Sequence, residues 1–396
     1  MKAAGIICEY NPFHIGHQMH INNTKRLLGE EYAIVCAMSG NFVQRGEPAI
    51  FNKHVRAEAA VRCGADLVLE IPTPYVLSSA EGYAVAGVNI LTNLDICEYL
   101  SFGSEVGDVD VLCTVAEAII SDEIGAFIKE NMRHGTTYAK AVQKTLDDKH
   151  GEKASVLKKP NNLLGIEYIK AIVTTGSHLK PMTFKRSGGV HDGSYGYSSS
   201  AVRQAMLNGD VNSSWEAMPS QSGSICKREI REMRGPLSLV SFEQAIMARL
   251  RQIDDYSQFP GAGEGLENRF AKYAAIEPTV SMVLERVKTK RYVMSKLRRM
   301  LLCACLGVTT NDTKMPPPYL RVLAINEKGI KLLGEMRGRT GVPIIVKPAR
   351  ARVLTERTFE LFNKEADATD FYVLAYKDEM QRVGGSEWRN GPVIAD

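Results

Sequence analysis

The apolar residues of the first hundred positions form short continuous runs that are separated by polar turns and mixed stretches. The runs cover residues 3–8, 31–38, 66–70 and 96–102. Short apolar runs bounded by turns are typical of strands that are buried on both faces of a parallel sheet. Helical composition marks the stretches between them, at 18–28, 52–62 and 79–92. The alternation predicts an α/β fold with right-handed crossovers and helices on both faces of the sheet.

The rest of the chain continues this pattern less regularly. A fifth strand is predicted at 181–186 and an amphipathic helix at 242–253. Serine and glycine enrichment at 214–224 marks a boundary, which divides the chain into domains at 1–220 and 221–396. The end of the chain predicts a small α/β unit with strands at 320–325, 342–346 and 371–376 and helices at 327–337 and 355–365. The second domain is therefore expected to be helical with a small α/β part.

Composition narrows the class of protein. The chain has 396 residues, of which 44% are hydrophobic and 24% are charged, so an ordinary globular protein is expected rather than a disordered one. The net charge of +4 is too small to diagnose nucleic-acid binding. The N-terminal run, interrupted by Glu9, does not resemble a signal peptide, and no stretch is long enough for a membrane span.

The eight cysteines point to a reducing compartment. Most lie inside apolar runs, as Cys36 does, which is typical of buried reduced thiols and indicates a cytoplasmic protein. Cys303 and Cys305 lie in an apolar segment, so their spacing favours a core helix over half a zinc site.

The strongest chemical signal follows the first strand. A polar turn containing Pro12 leads into a helix start that contains His14 and His17. The unpaired N–H groups and positive dipole end of a helix N-terminus favour a phosphate. Two histidines spaced by three lie on the same side of the first turn, where both can donate hydrogen bonds to phosphate oxygens. Two exposed loop histidines remain the alternative interpretation.

These residues resemble a known family. His14, Gly16 and His17 match the HxGH signature of the nucleotidyltransferase superfamily, and the longer string 9–17 is similar to the tRNA(Met) cytidine acetate ligase family. The resemblance implies a Rossmann-like, HUP-type nucleotidyltransferase domain that attacks the α-phosphate of ATP. It implies that His14 and His17 are catalytic. It also implies an ATP site that includes Ile7, Cys8, Glu9, Tyr10, Asn11, Pro12, Phe13, His14, Gly16, His17 and His20.

A second signature lies at 197–203, where three serines precede Arg203. It is similar to the superfamily motif Ile-Ser-Ser-Thr-x-Ile-Arg, with tyrosine and serine in place of the first isoleucine and the threonine. Serines at a helix N-terminus offer hydroxyls and amides to the β- and γ-phosphates, so Ser199, Ser200 and Arg203 are predicted to bind ATP. Read alone, the serines are a helix cap.

Other candidates come from the order of the strands. Ligands bind at the carboxyl ends of parallel strands, so the loops at 11–17, 39–47 and 103–105 are expected to converge. Gly103 either allows a close approach of the nucleotide or ends a strand. The loop residues Gln44 and Arg45 are candidates for holding a carboxylate or a phosphate.

Three further residues complete the predicted ATP site. Asn161 and Asn162 precede an apolar run, which indicates a helix cap, and the resemblance adds a place beside the nucleotide. Arg186, at the end of the fifth predicted strand, is also predicted to bind ATP.

The second half carries a basic cluster, which we predict to form one helix with a buried face and a positive face. Its members are Lys288, Lys290, Arg291, Lys296, Arg298 and Arg299. Such a face suits an RNA backbone, and the resemblance favours tRNA. A solvated helix face without a partner is the alternative.

The resemblance implies an ATP-dependent ligase that forms acetyl-adenylate from acetate and acetylates N4 of the wobble cytidine of elongator tRNA(Met). Mg²⁺ is expected to screen the phosphates, but its ligands are unassigned. No membrane or DNA partner is expected, and the oligomeric state is open. The alternatives are a small-molecule adenylyltransferase and an inactive RNA-binding protein that retains the fold.

Overall fold

The computed structural model describes residues 1–121, 130, 156–185 and 198–395. Within them an eight-stranded sheet forms the centre of the molecule. Its strands are β1 Ala3–Cys8, β2 Ala33–Ser39, β5 Leu67–Ile71, β6 Cys97–Ser104, β7 Lys180–Lys185, β8 Leu320–Ile325, β9 Ile344–Ile345 and β10 Val393–Ile394. A separate hairpin consists of β3 Phe42–Val43 and β4 Glu47–Pro48.

The strand order is β10-β8-β5-β2-β1-β6-β7, and the short strand β9 also pairs with β8, at Leu320 and Arg321. All pairs from β5 to β7 are parallel, which confirms the predicted parallel α/β sheet. Strand β8 runs antiparallel to β5. The chain runs from β1 to β2 and β5 on one side of β1, and it then crosses to β6 on the other side. The strand order therefore reverses at β1. Clefts at such a reversal of strand order are the usual ligand sites of these sheets.

The described helices cover both faces of the sheet and form a helical layer beside it. They are α1 Ile15–Leu28, α2 Lys53–Arg62, α3 Thr73–Val76, α4 Ala80–Thr92, α5 Val109–Ile120, α6 Pro160–Thr175, α7 Ser199–Leu207, α8 Val211–Glu216, α9 Ser220–Arg231, α10 Glu243–Leu250, α11 Leu266–Ile276, α12 Val280–Val287, α13 Met294–Leu306, α14 Glu327–Glu335 and α15 Glu356–Val373. None of them has the length and apolar character needed to cross a bilayer.

Successive residues of the central strands point into different cores. In β2, Val35 joins the core beneath α4, whereas Cys36 joins the core beneath α2. Both residues are fully buried, which explains why the strand is apolar at every position. Helix α4 lies unusually close to β1, because a Cβ on Gly5 would be 2.5 Å from a methyl group of Leu91. This packing fixes the position of the strand that leads into the candidate site.

The small α/β unit predicted at the end of the chain is not separate. Strand β8 lies in the main sheet beside β5, and Val393–Ile394 pairs with β8 in turn. The strand predicted at 371–376 is wrong, because these residues form the end of α15 and the turn after it. Apolar Phe371, Tyr372 and Val373 resemble a strand in composition, but they pack as a helix against the helical layer. The boundary at residue 220 stays a prediction.

Candidate nucleotide-binding site

The loop after β1 is held by hydrogen bonds from distant parts of the chain. Asn11 Oδ1 accepts from the Ile50 N–H at 2.7 Å, and the Asn11 carbonyl accepts from Arg203 at 2.7 Å. The Phe13 carbonyl accepts from Ser222 Oγ at 2.9 Å. Asn11 is 2% exposed, yet its Nδ2 has no hydrogen-bond partner among the described residues. A buried donor without an acceptor at a loop of this kind marks a place for a ligand.

His14 and His17 begin α1 in a reciprocal cap. His14 is the N-cap residue, so the helix begins at Ile15, three residues before the predicted start. His14 Nδ1 accepts from the Gly16 N–H at 3.0 Å, and His17 Nδ1 accepts from the His14 N–H at 3.2 Å. The two rings stack with centroids 3.7 Å apart, which confirms that both histidines lie on one side of the first turn. A ring whose Nδ1 accepts carries its proton on Nε2, so both histidines present an Nε2–H donor.

The serine segment reaches these histidines. Ser198 caps α7 by accepting from the Ala201 N–H at 3.2 Å. His14 Nε2 lies 2.9 Å from Ser199 Oγ, although the two residues are 185 positions apart. Arg203, one turn along the same helix, donates to Ser200 Oγ at 3.2 Å as well as to Asn11. The structure therefore brings both predicted signatures together in one cleft.

Glu9 and Arg56 fix the ends of the two central strands. Arg56 is 2% exposed and donates to the carbonyls of Ser39 and Phe51 at 3.0 and 2.9 Å, and also to those of Glu9 and Gly40. Burial raises the pKa of the Glu9 carboxyl, and the Gln44 N–H that it accepts at 2.8 Å opposes that rise. These contacts confirm that the loops after β1 and β2 meet.

The loop after β6 lies at the same edge of the sheet, because β6 pairs directly with β1. Gly103 is within β6 and pairs with Phe184, so it does not end the strand. The described contacts of Glu105 are with the start of α6 rather than with the first loop.

Asn161 and Asn162 are not the helix cap that the sequence indicated. The helix begins at Pro160 after Lys159, and the Glu105 carboxylate accepts from the N–H groups of both asparagines at 3.3 and 2.8 Å. A carboxylate at the positive end of the helix replaces the side-chain cap. Their proposed contact with ATP stays a prediction. Arg186 lies outside the described residues.

His20 is held on the inner side of α1. Its Nε2 lies 2.8 Å from Ser101 Oγ, and Thr24 Oγ1 lies 2.8 Å from the same hydroxyl. Ser101 is fully buried in β6, so the ring is tied to the strand next to β1. This places His20 beside β6, the strand that pairs with β1.

The basic cluster divides into two parts and is not one helix. Lys288, Lys290 and Arg291 lie at the end of α12 and in the loop after it, and they are exposed. Lys296, Arg298 and Arg299 lie on α13 and are half-buried. The predicted single helix is interrupted at Lys288, whose backbone is extended and ends α12.

The half-buried part contacts the β3–β4 hairpin beside the candidate cleft. Arg299 donates to the Gln44 carbonyl at 3.2 Å, and Arg298 forms an ion pair with Glu47. The same Gln44 donates its N–H to Glu9, so one peptide segment joins the basic helix to the first loop. In contrast, Arg45 at the hairpin tip is exposed and has no hydrogen-bond or ion-pair partner among the described residues.

Sequence reasoning missed Arg56, Ser101 and Ser222. Each is a polar residue that is buried, and each acts through backbone or hydroxyl contacts with the site loops. A cation in a helix and serines in a strand or helix do not indicate a functional site by themselves.

A separate cavity of about 360 Å³ between α10, α13 and α15 contains none of the predicted site residues.

The family described as HIGH Nucleotidyl Transferase matches residues 1–387. A tRNA(Met) cytidine acetate ligase of Thermoanaerobacter sp. (strain X514) is 36% identical over 391 residues, which cover 96% of each protein. That of Acetivibrio thermocellus is 34% identical over the full length of both. The crystal structure of Thermotoga maritima TmcAL bound with alpha-thio ATP superposes with a TM-score of 0.93 and 31% identity, covering 100% of this chain and 99% of that chain. This chain belongs to the tRNA(Met) cytidine acetate ligase family, within the HIGH nucleotidyl transferases.

Proposed function

We propose that this chain is an ATP-dependent ligase that acetylates N4 of the wobble cytidine, C34, of elongator tRNA(Met). The observation that carries the proposal is the 2.9 Å contact between His14 Nε2 and Ser199 Oγ. It supports one phosphate-binding site that the histidine pair and the start of the serine helix share. The name of the relatives, tRNA(Met) cytidine acetate ligase, supports the substrates.

The first step joins acetate to AMP. A carboxylate oxygen of acetate attacks the α-phosphorus of ATP, the bond from that phosphorus to the bridging oxygen breaks, and pyrophosphate leaves. The carboxylate is already a nucleophile, so no nucleophilic side chain is required. The Nε2–H groups of His14 and His17 stabilise the charge that develops on the transferred group, which is the usual source of rate in phosphoryl transfer.

Ser199, Ser200 and Arg203 hold the departing pyrophosphate. The N-terminus of α7 offers unpaired N–H groups and the positive end of its dipole to an anion. Arg203 is already oriented by the Asn11 carbonyl, so its remaining guanidinium donors face the cleft with little loss of freedom. The other predicted contacts with ATP, from Ile7 to His20 and at Gly103, Asn161, Asn162 and Arg186, are part of the proposal.

The second step transfers the acetyl group to RNA. The N4 amine of the cytidine attacks the acetyl carbonyl, AMP leaves with the former carboxylate oxygen, and N4 loses one proton. We assign the tRNA to the surface that carries Lys288, Lys290 and Arg291, which are exposed cations without ion-pair partners among the described residues. The proposal includes a cytoplasmic location, and all eight cysteines are free thiols.

Mg²⁺ fits this site only through the substrate. No group of three or more histidine, cysteine, aspartate or glutamate residues suited to a metal occurs in the described ranges. Mg²⁺ keeps several waters and binds substrate phosphates with one or two carboxylates, so a protein cage is not required. We assign it no protein ligand.

An isotope-exchange assay between pyrophosphate and ATP tests the proposal. We expect exchange that requires acetate and does not require RNA. Exchange with a nucleotide or pantetheine phosphate instead of acetate would identify a small-molecule adenylyltransferase, and no exchange with any acceptor would identify an inactive RNA-binding protein. Mass spectrometry of elongator tRNA(Met) from a deletion strain then tests the acceptor, because the acetyl group on C34 should be absent.

A further inference from the structure

A second positively charged surface lies away from the basic cluster, and we call it the tryptophan surface. It consists of Lys347, Arg350, Arg352, Phe359 and Trp388. The first three residues belong to the segment around the 3-10 helix Pro348–Val353, and all three are exposed. None of the three forms an ion pair with a described carboxylate, although Glu356 and Glu360 follow closely in the sequence.

The aromatic residues of this surface contact one another at tilted angles, and an arginine lies over one of them. The Arg352 guanidinium carbon lies 4.6 Å from the centroid of the Trp388 ring. Phe362 and Phe359 contact the same ring with centroid distances of 4.8 and 6.0 Å. Phe359 is 38% exposed and the neighbouring Val353 is 83% exposed. An exposed guanidinium that lies over an indole offers a planar surface to a further ring.

The position of Trp388 is rigid. The preceding residue, Glu387, is fully buried and forms ion pairs with Lys53 at 2.8 Å and Arg321 at 3.2 Å. Phe362 belongs to α15 and is fully buried. A positively charged aromatic surface that is held on a fixed frame loses little conformational freedom when a partner binds.

We infer that the tryptophan surface binds an unpaired segment of RNA, with one base stacked on the exposed Arg352 guanidinium beside Phe359 and with phosphates near Lys347 and Arg350. Unpaired bases stack on aromatic rings and on guanidinium planes, and lysine and arginine side chains neutralise the backbone between them. An acidic protein segment would use the positive charge but would leave the guanidinium plane and the exposed ring unused.

The same RNA molecule can reach both surfaces, because helix α15 connects them. Its Phe362 packs on Trp388, and its Tyr372 packs in the cluster that contains Leu297 and Leu301 of α13. Ten residues of helix separate Phe362 from Tyr372, a rise of about 15 Å. This inference rests on the proposed function, since it assigns a second contact for the proposed tRNA substrate.

The test is filter binding of an elongator tRNA(Met) transcript at several salt concentrations. For the double variant Arg350→Glu/Arg352→Glu, we expect affinity at least about tenfold lower and a salt dependence reduced by about one to two units of slope. The matched control is Lys331→Glu/Arg337→Glu, which makes the same charge change at exposed cations that contact no aromatic ring. The control should bind like the parent protein. Thermal melting establishes that both variants are folded.

The substitution Arg352→Lys separates stacking from charge. It keeps the positive charge but removes the planar face, so we expect weaker binding, by about tenfold, with an unchanged salt slope. If the parent protein binds the tRNA and the double variant binds equally well, the tryptophan surface is not an RNA site. If the control weakens binding as much as the double variant, the effect is one of net charge and the inference is also wrong. If the parent protein does not bind tRNA, the proposed function itself fails.

Discussion

The tautomers of His14 and His17 decide what these residues can do. Each Nδ1 is occupied by a backbone N–H, so each neutral ring keeps its proton on Nε2. A neutral imidazole in this form already donates to a phosphate oxygen. The pair can therefore stabilise the transition state without a positive charge on either ring. The cap that begins α1 and the donors that the chemistry needs are consequences of the same hydrogen bonds.

Replacing His17 separates these two roles. We expect His17→Ala to lower the acetate-dependent exchange rate by about 10²- to 10³-fold, the usual cost of removing one preorganised donor. His17→Asn offers an oxygen that can accept from the His14 N–H but lacks the ring, so it should restore the helix start and not the rate. His178→Ala is the control, because His178 is exposed and contacts the Cys97 carbonyl. Activity of His17→Ala within a few fold of the parent would exclude the proposed role.

The candidate site shows which residues a sequence can reveal. His14, His17, Ser199 and Arg203 belong to motifs whose spacing is visible in the sequence, and the structure brings these motifs together. Arg56 was not found, because its four acceptors are backbone carbonyls whose positions depend on the fold. Asn161 and Asn162 were misread as a cap, since the cap is the carboxylate of Glu105, more than 50 positions away.

At the scale of elements, a buried ion cluster joins β5, α2, β8 and α15. Lys53 Nζ lies 2.7 Å from Glu70, 3.2 Å from Glu365 and 2.8 Å from Glu387, and Arg321 pairs with Glu387. All five side chains are fully buried. Two cations face three carboxylates, so one carboxylate is in excess, and Glu70 Oε2 has no hydrogen-bond partner among the described residues. Glu70 is therefore the position where a proton restores neutrality.

The pKa directions agree with this assignment. Burial raises the pKa of Glu70 well above its ordinary value, and the neighbouring Glu365 carboxylate raises it further. Burial would also raise the pKa of Glu387, but Lys53 and Arg321 outweigh it and lower that pKa to about 2. Burial would lower the pKa of Lys53, yet the three carboxylates raise it.

The two carboxyls predict opposite pH effects on the free energy of unfolding. The raised pKa of Glu70 means that the parent loses stability as the pH rises above its unfolded pKa, about 4.3. We expect Glu70→Gln to remove that loss, so the free energy of unfolding of the variant rises relative to that of the parent between pH 5 and pH 9.

The low pKa of Glu387 contributes stability above pH 4.3, which is lost as the pH falls towards 2. Glu387→Gln should cost about 3–5 kcal/mol at pH 7.

Urea unfolding at pH 3, 5, 7 and 9 measures both effects, with Glu387 tested below pH 5 and Glu70 above it. If Glu70→Gln destabilises the protein most at pH 9, the excess proton is not at Glu70.

The β3–β4 hairpin depends on a close approach at Gly46. Its φ is +74°, and a Cβ there would lie 2.6 Å from Arg298 Cβ and from the Arg299 nitrogen. Gly338 has a similar φ of +79° and no atom within 4 Å of such a Cβ. Gly338→Ala should therefore cost about 1–2 kcal/mol of unfolding free energy from backbone strain alone. Gly46→Ala should cost about 1–3 kcal/mol more, because the hairpin must also move away from α13.

Chemical denaturation of both glycine variants checks this difference. Equal losses would show that the hairpin can shift freely relative to α13.

At the scale of the whole molecule, the sequence predicts the parallel strands but not that β8 extends the same sheet. Strands β1, β2, β5 and β6 are predictable because each is a short, mainly apolar run bounded by turns, with a helix further along the chain. Strand β8 has the same appearance, and only its pairing with β5 shows that it belongs to the main sheet. Partner choice between strands about 250 residues apart is set by the buried ion cluster and by core packing, which local patterns do not encode. The same limit explains the misreading of residues 371–376.

The basic cluster has one part beside the candidate ATP site and one exposed part, and this division links the two proposed substrates, ATP and tRNA. Arg299 donates to the Gln44 carbonyl, and the Gln44 N–H donates to Glu9 beside the cleft, whereas Lys290 is exposed without a partner among the described residues. We expect Arg299→Ala to raise the KM for ATP in the RNA-free exchange assay by about tenfold, since losing a hydrogen bond from a charged group costs roughly 1.5–3 kcal/mol and releases the hairpin. Lys290→Ala should act only when RNA is present, lowering the salt slope of tRNA binding by about one. If Arg299→Ala changes RNA binding alone, the hairpin does not connect the two sites, and the basic cluster is a single RNA surface after all.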